Sequence, residues 1–271
     1  SDTNGKGLYY TSTNTEDNKV TYYFRGEVEN NYVTFAGFTW KIVRINEDSS
    51  IRLIKQDSIG KSKFNTNIDE NAYVGYMYGT VGASTYEETH ANTNSSTIKT
   101  FIDTWYQNNL MSYSSYLADS GFCGDRSIVD GLGYGTNATR YGGYDRAVAS
   151  APQFKCPQES DLYTTKTSNK GNKALDYPIG LLTSDEAVYA GVVYGVKNSS
   201  IYLRNNLNFR LGTPFFGNSN SSTDSFRSDG RTYIAGVQGL MDTIPVINLK
   251  STIEITTGDG TKTNPYTIKT N

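Results

Sequence analysis

The sequence contains a single His and only two Cys among its 271 residues. One His excludes a His-rich metal centre and any mechanism that needs more than one imidazole. The sequence also lacks an excess of charge of either sign, because its 25 basic and 27 acidic side chains give a formal net charge of −2. A dedicated nucleic-acid binder normally shows a basic excess, so we expect no nucleic-acid partner.

Long apolar runs are missing as well, and no stretch approaches the ~18 uninterrupted apolar residues of a transmembrane helix. We therefore expect no membrane insertion by this segment. Aromatic residues are abundant in contrast, with 22 Tyr and 11 Phe. Disordered chains are poor in aromatics, so we expect this chain to fold. The composition predicts a flexible N-terminal segment over 1–19 and one domain over 20–271, since no linker divides the rest.

The two cysteines are Cys123 and Cys156, and both lie in turn-rich segments of a polar chain. An even count in this context favours a disulfide and an extracellular or cell-surface location. Two free, buried thiols in a cytosolic protein are the alternative. A bridge would close a loop of about 33 residues, which the chain-entropy model values at roughly 3–4 kcal/mol.

Alternating and β-branched patterns predict an antiparallel meander near the start of the domain. Its strands lie at 20–25, 32–37, 38–45 and 51–55, with a polar hairpin turn over 46–50. Further strands are expected in the last quarter of the chain. From these patterns and the helical ones we expect a core that contains Trp40, Ile42, Phe101, Ile102, Trp105 and Val246.

Two segments show helical spacing. The first runs over 94–110, where Asn94, Ser95 and Ser96 offer N-caps. The second runs over 183–191, where Thr183 is the cap and Glu186, three residues later, completes a capping box.

Several short motifs follow one another from about residue 8 to the end of the chain. They lie at 23–26 (Tyr-Phe-Arg-Gly), 35–46, 120–123 (Ser-Gly-Phe-Cys), 154–157 (Phe-Lys-Cys-Pro), 182–187 (Leu-Thr-Ser-Asp-Glu-Ala), 245–250 and 258–261. Together they resemble a family of uncharacterised surface domains that are common in gut Gram-positive bacteria. That family is similar to the formylglycine-generating-enzyme type of C-type lectin fold. The resemblance implies an α+β, C-type lectin-like domain with small antiparallel sheets, two main helices and extensive loops.

The chain departs from the family in two places. Phe209–Pro214 stands where a Trp-x-x-Ser-Pro segment is usual, and Asp242–Pro245 stands where Gly-Val-Arg-Pro is usual. The framework motifs are kept while the residues between them differ.

No constellation of catalytic residues is evident, so we expect no enzymatic activity and no cofactor. His90 stands alone in a polar stretch, which is typical of a surface residue. Formylglycine-generating enzymes use reactive cysteines, but Cys123 and Cys156 lie in different sequence contexts. Asn67, Asp69 and Asn71 alternate as calcium ligands do, without the Gly and terminal Glu of an EF-hand loop.

The segment 198–237 contains no Lys, Glu, Gln, Met or Trp. Every residue type that it does contain has a codon ending in a pyrimidine. Diversity-generating retroelements produce this set when they mutate template adenines, and their known targets have C-type lectin folds with variable residues near the C-terminus. The alternative is a loop-rich segment that happens to lack long side chains.

The same segment is rich in Arg, aromatic residues, Asn and Ser, which are the residue types of an antibody paratope. It predicts a variable, exposed binding face at about 198–244. Pro214, Pro245, Val246 and Leu249 would form the scaffold beneath it. The predicted ligand-binding residues are Tyr202, Arg204, Asn206, Asn208, Arg210, Phe215, Phe216, Asn218, Asn220, Asp224, Phe226, Arg227, Tyr233, Asp242, Thr243 and Ile244.

We therefore predict the extracellular ligand-binding domain of a bacterial surface or pilin-like protein. Its ligand would be a protein or a glycan on another cell or surface. A divergent enzyme of the formylglycine-generating type and a structural spacer are the two alternatives. The enzyme would need a reactive thiol, and the spacer would lack an aromatic–arginine patch at 204–244.

Overall fold

The computed structural model describes residues 5–270. Within this range strands dominate and helices are short, which confirms the α+β class. The helices are α1 Tyr86–Thr89, α2 Thr97–Asn109, α3 Gly142–Ala149 and α4 Ser184–Tyr189, with 3-10 turns at Asn71–Val74, Met111–Tyr116 and Glu159–Asp161. None of these helices is long and apolar enough to cross a membrane.

The strands form two larger sheets and two short two-stranded ladders. In chain order they are β1 Gly7–Thr11, β2 Thr21–Arg25, β3 Tyr32–Phe35, β4 Phe38–Ile45, β5 Ile51–Lys55, β6 Lys61–Ser62, β7 Met77–Tyr78, β8 Asn94–Ser95, β9 Phe122–Cys123, β10 Ile128–Asp130, β11 Thr139–Tyr141, β12 Leu162–Tyr163, β13 Ile179–Gly180, β14 Phe209–Gly217, β15 Ser222–Phe226, β16 Thr232–Gly236, β17 Met241–Asp242, β18 Val246–Leu249, β19 Ile255–Thr257 and β20 Tyr266–Ile268.

The first sheet has the order β13-β18-β5-β4-β3-β20-β19, and β1 and β2 join it through β4. The predicted meander is confirmed for its last three strands, since β3, β4 and β5 pair antiparallel in sequence order. The first predicted strand, β2, forms, but it pairs with β1 and β4 instead of β3. The turn after β4 is closed by a hydrogen bond from the Asn46 amide to the Ser50 carbonyl, 2.8 Å long. This sheet carries much of the core.

The second sheet has the order β10-β11-β14-β15-β16. Strand β17 pairs parallel with β14 and antiparallel with β6, which ties the sheet to the segment after the meander. Because β15 lies between β14 and β16, both of its edges are hydrogen-bonded. Four strands of this sheet, β14, β15, β16 and β17, lie within the segment predicted to be variable.

The predicted flexible segment 1–19 contains regular structure. Strand β1 pairs antiparallel with β2 along its whole length, from Gly7 opposite Arg25 to Thr11 opposite Thr21. Further along, Thr15 is buried, and the Glu16 carboxylate accepts a hydrogen bond from the Cys156 amide. Residues 1–4 lie outside the described range. The polar composition of the segment concealed these long-range partners.

The predicted core is correct in its main members. Trp40, Ile102 and Val246 are buried, and the Trp40 indole donates a 3.0 Å hydrogen bond to the Phe35 carbonyl. Ile42 and Trp105 are partly buried against the same cluster. Phe101 is also only half-buried, while Tyr106, which the prediction omitted, is buried on the inner face of α2.

Both predicted helices form with the predicted caps. The Ser96 hydroxyl accepts a hydrogen bond from the Lys99 amide at the start of α2. Thr183 and Glu186 form a complete capping box at the start of α4. Helix α3 was not predicted, because its Gly142-Gly143 start is typical of a loop.

Cys123 and Cys156 form the predicted disulfide, with their Cα atoms 5.5 Å apart. Each cysteine follows closely on a Phe that packs on a guanidinium. Phe122 lies 4.6 Å from the Arg52 guanidinium, and Phe154 lies 4.5 Å from that of Arg44. The bridge therefore joins two loops that also pack on a pair of buried arginines.

Candidate binding surface

The predicted binding residues divide into three groups by burial. Five of them are exposed, and these are Arg204, Asn206, Asn208, Asn220 and Tyr233. Four are half-buried, namely Phe216, Asn218, Arg227 and Asp242. Seven are buried, and these are Tyr202, Arg210, Phe215, Asp224, Phe226, Thr243 and Ile244. The prediction of one exposed face is wrong for these seven, whereas Pro214, Pro245, Val246 and Leu249 are buried as expected.

The buried group is explained by the sheet. Every residue of β15 is buried, so both faces of this strand are covered by other parts of the chain. Phe226 lies opposite Phe209 on β14, and their rings stack with centroids 4.9 Å apart. These two rings belong to the hydrophobic core and cannot contact a ligand in this arrangement.

Arg210 is buried for a different reason. Its guanidinium donates hydrogen bonds to the carbonyls of Ala235, Gly236 and Gly239, at 3.1, 2.6 and 2.7 Å. Burial, with a smaller effect of the nearby Arg227 charge, lowers the pKa of Arg210 to about 10, which leaves it charged at neutral pH. Arg210 therefore holds the end of β16 and the turn that follows it against β14.

Four partly accessible rings contact one another in a chain that runs from β14 to β16, which we call the aromatic row: Tyr144, Tyr194, Phe216 and Tyr233. The Tyr194 and Tyr233 rings stack at 5.6 Å and 13°. Tyr144 packs edge-on against Tyr194 at 5.7 Å and tilted against Phe216 at 4.7 Å. Tyr233 is the most accessible of the four, at 44%.

Phe215 forms the buried floor of the aromatic row, with its ring 5.2 Å from that of Tyr144 and 5.8 Å from that of Tyr194. The strand register shifts between Pro214 and Phe216, so this part of β14 does not alternate regularly. The irregularity lets two consecutive Phe side chains contact the same Tyr. Of the predicted site, the row contains Phe216 and Tyr233, while Tyr144 and Tyr194 lie outside the predicted segment.

Cationic side chains gather at the turn between β15 and β16, which we call the arginine tip: Arg204, Arg227 and Arg231. Arg204 donates to the Ser228 carbonyl at 2.9 Å, and Arg227 to the Ile234 carbonyl at 3.2 Å. Arg231 pairs with Asp229 at 3.3 Å and lies 5.6 Å from the centre of the Tyr233 ring. The tip is therefore continuous with one end of the aromatic row.

The remaining exposed Asn residues do not form one cluster. Asn208 lies at the tip, where its side chain accepts a 2.9 Å hydrogen bond from the Ser228 amide. Asn218 and Asn220 lie in the turn before β15, at the other end of that strand. These Asn residues thus divide between the two ends of β15.

Asp224 lies on β15, is fully buried and has a strongly shifted pKa. Its carboxylate accepts hydrogen bonds from the Ser184 hydroxyl at 2.7 Å and from the Ser225 amide at 2.8 Å. Burial raises the pKa of Asp224 to about 7, against the opposing effect of these bonds and of the Arg227 charge. The group is consequently protonated in much of the folded protein below neutral pH.

This shift predicts a pH-dependent stability. The pKa of Asp224 is higher in the folded protein than in the unfolded chain, so its protonation stabilises the fold. This stabilisation is complete below pH ~4 and is lost as the pH rises through ~7, which lowers the free energy of unfolding by about 4 kcal/mol at most. Asp224→Asn, which cannot ionise, should flatten the fall of the unfolding free energy between pH 5 and 8. Urea titrations of both proteins at each pH measure this. Equal slopes in the two proteins would contradict the assignment to Asp224.

The alternating calcium-type residues do not form a site. Asn71 is buried; its amide donates to the carbonyls of Tyr134, Gly135 and Asn137, and its oxygen accepts from the Tyr141 hydroxyl. Asn67 and Asp69 are exposed. Between residues 5 and 270, no group of three or more His, Cys, Asp and Glu side chains is arranged to hold a metal.

His90, expected at the surface, is buried. Its Nε2 lies 2.8 Å from the Gly133 carbonyl and its Nδ1 lies 3.3 Å from Arg126. Burial and the Arg126 charge hold the pKa of His90 well below its usual value, so the ring is neutral. Arg126 in turn forms a buried ion pair with Asp161, which makes His90 part of an internal polar junction.

A groove of about 680 Å³ lies elsewhere, between α2, the 3-10 turn that follows it, and the 165–178 loop. Tyr106 and Tyr177 stack in its wall at 4.8 Å. Two of its polar groups have partners within the chain: Asp119 accepts from Thr165, and Lys250 donates to the Ser115 carbonyl at 2.7 Å. The aromatic row and the arginine tip offer the better-defined chemistry.

Comparison with known proteins returns no match among protein-family models, curated proteins or solved structures. The C-type lectin-like fold type and the surface-domain family thus stay predictions from the sequence motifs.

Proposed function

We propose that this chain is the ligand-binding domain of an extracellular or cell-surface bacterial protein, and that it binds a glycan or protein on another surface through the aromatic row and the arginine tip. The observation that carries the proposal is the stacked Tyr194–Tyr233 pair with Arg231 against it. Tyr and Arg provide large contact areas and directional donors, and both are enriched in binding hot spots.

Two further observations support binding over the alternatives. Both cysteines form the disulfide, which leaves no thiol for chemistry of the formylglycine-generating type. The disulfide also fits an oxidising, extracellular location. A structural spacer does not require partly accessible stacked rings beside a cationic turn.

The proposed variable face is narrower than the sequence suggested. Random substitution at Phe215 or Phe226 would leave cavities in the core, and at Arg210 it would leave three backbone carbonyls without their donor. We limit diversification by a retroelement to exposed positions at the two ends of β15, including Asn206, Asn208 and Asn220. A neighbouring template copy whose adenines fall instead on the codons of buried positions would oppose this restriction.

Removal of the stacked tyrosines should abolish binding without unfolding the domain. A panel of immobilised glycans and cell-surface proteins first identifies a ligand that the unchanged protein binds. For Tyr194→Ala and Tyr233→Ala we expect an affinity for that ligand at least tenfold lower. We expect Tyr233→Ala, at an exposed position, to change the stability by about 0.5–1 kcal/mol. Binding is measured by surface plasmon resonance and folding by circular dichroism.

Tyr22→Ala is the matched control, since Tyr22 is 43% exposed but lies on the first sheet. It should bind as the unchanged protein does. Equal losses in Tyr22→Ala and Tyr233→Ala, or none in either, would contradict the proposed surface.

A further inference from the structure

A second groove adjoins the arginine tip. It has a volume of about 530 Å³, and its walls include Lys6, Glu27, Lys197, Asn198 and the backbone of Gly26 and Gly191. Lys6 and Lys197 are both exposed. We call this feature the basic groove.

The basic groove and the arginine tip form one continuous surface. The Asn198 amide donates a 3.1 Å hydrogen bond to the Asp229 carbonyl, in the turn that carries the tip. A Cβ at Gly230 would come 1.7 Å from the Asn198 carbonyl, so this approach of the two loops requires glycine. Lys197, next to Asn198, therefore lies between the groove and the tip.

The charge of this surface opposes that of the whole chain. Lys6, Lys197, Arg204, Arg227 and Arg231 are five cations, and Glu27 and Asp229 are the two acids among the residues that define the groove and the tip. The chain as a whole carries a net charge of −2. A local cationic surface on a slightly acidic protein is complementary to an anionic ligand.

The guanidiniums retain donors for such a ligand. Each has five N–H groups in a fixed fork. Within residues 5–270, Arg204 and Arg227 each donate one side-chain hydrogen bond to the protein, and in both cases the acceptor is a backbone carbonyl. Arg231 lies 3.3 Å from Asp229 through its Nε, and this pair is partly exposed. The forks can therefore donate hydrogen bonds to a carboxylate without breaking a buried ion pair.

The area of exposed aromatic surface in the aromatic row indicates which class of anionic ligand this surface can bind. Tyr233 is the one ring of the row that exceeds a third exposed, and the others are half-buried. A stable protein partner needs roughly 800 Å² of surface from each side, with an apolar centre. A pyranose ring needs much less, because its C–H face can stack on a single tyrosine while its substituents reach the flanking donors.

Resting on the function proposed above, we infer that the ligand is a carboxylated oligosaccharide. One sugar ring would pack against the exposed part of the Tyr233 side chain, its carboxylate would bind the forks of Arg231 and Arg204, and the next units would extend past Lys197 into the basic groove. Uronic acid and sialic acid units both provide this combination of a sugar ring and a carboxylate.

The experiment measures binding of oligogalacturonate, hyaluronan oligomers and sialyllactose to the whole chain by isothermal titration calorimetry. We expect binding of at least one of these probes, with an affinity that falls as the salt concentration rises. Conversion of its carboxylates to methyl esters, or the double change Lys197→Ala and Arg231→Ala, should lower the affinity at least tenfold. Lys166→Ala, at the separate 680 Å³ groove, is the control and should have no effect.

The outcomes separate this inference from the proposed function. If none of the three probes binds, or if the esterified probe binds as well as the acid, the carboxylate assignment is wrong. The proposed function still stands if Tyr233→Ala loses binding to a panel ligand. An acidic peptide, poly-glutamate, that binds more tightly than any of the three sugars would also overturn the glycan assignment.

Discussion

Phe226→Ala is expected to destabilise the protein by about 3–5 kcal/mol, because the side chain is fully buried and its removal leaves a cavity. The ring stacks on Phe209 across the β14–β15 pair, and both belong to the main hydrophobic cluster. Stacked aromatic pairs contribute about 0.5–1.5 kcal/mol beyond the area that they bury. The loss should appear as a lower midpoint in urea with an unchanged slope.

Tyr233→Ala is the control for this measurement. Its ring lies on the neighbouring strand β16 but is exposed, so we expect a change of about 0.5–1 kcal/mol. A Phe226→Ala protein as stable as the Tyr233→Ala protein would show that the ring faces solvent. In that case the exposed binding face expected from the sequence would be restored.

The comparison of these two residues shows why composition located the segment but not its faces. Phe226 and Tyr233 occur in the same Asn-, Ser- and Arg-rich stretch, and nothing in the local pattern distinguishes them. Their burial differs because Phe226 lies opposite Thr232 and Tyr233 lies opposite Ser225, so the two rings point to opposite faces of the sheet, and Phe226 packs on Phe209 in the core. The residues that bury Phe226 are distant in sequence, so the composition of the segment cannot predict which of its side chains are buried.

Strand β14 was missed for a related reason. Its sequence includes Gly212 and Pro214, which are uncommon in central strands, and the fully buried Arg210. The register shifts at Pro214 accommodate the ring, and three backbone carbonyls satisfy the Arg210 guanidinium. Both features depend on residues that are near β14 only in the folded protein, whereas strands are predicted from patterns of neighbouring residues in the sequence.

The features that were predicted correctly depend on short-range chemistry. The 46–50 hairpin turn, the Ser96 cap and the Thr183–Glu186 capping box each involve residues within four positions of each other. The disulfide is the exception, since its two cysteines are 33 positions apart. There the number of cysteines left a single intramolecular pairing to consider.

The capping box is also the centre of a charged cluster that the sequence did not indicate. Glu186 is buried, and its carboxylate lies 2.5 Å from Arg52 Nε and 3.3 Å from Arg44 Nε. The same side chain accepts a hydrogen bond from the Thr183 amide at 3.0 Å. The two arginines pack on Phe122 and Phe154, beside the disulfide. Glu186 thus connects α4, the meander and both disulfide loops.

Glu186→Ala should therefore be among the most destabilising substitutions in the chain. It leaves the fully buried Arg52 without its carboxylate, and loss of one partner of a buried ion pair costs about 3–5 kcal/mol. Burial already lowers the pKa of Arg52 to about 10, against the effect of Glu186, so the charge stays on the side chain at neutral pH. Urea unfolding at pH 7 measures the change in stability.

Two variants make the result specific. Glu254→Ala removes an acid that pairs with Lys269 at 2.9 Å on the surface, where both side chains are more than half exposed, and it should cost at most about 1 kcal/mol. Glu186→Gln keeps the shape and one acceptor oxygen for the Thr183 amide, so its loss should fall between those of the other two. If Glu186→Ala were no more destabilising than Glu254→Ala, the buried cluster would not hold the disulfide loops to α4. The two loops would then depend on the Cys123–Cys156 bond and on the packing of Phe122 and Phe154 alone.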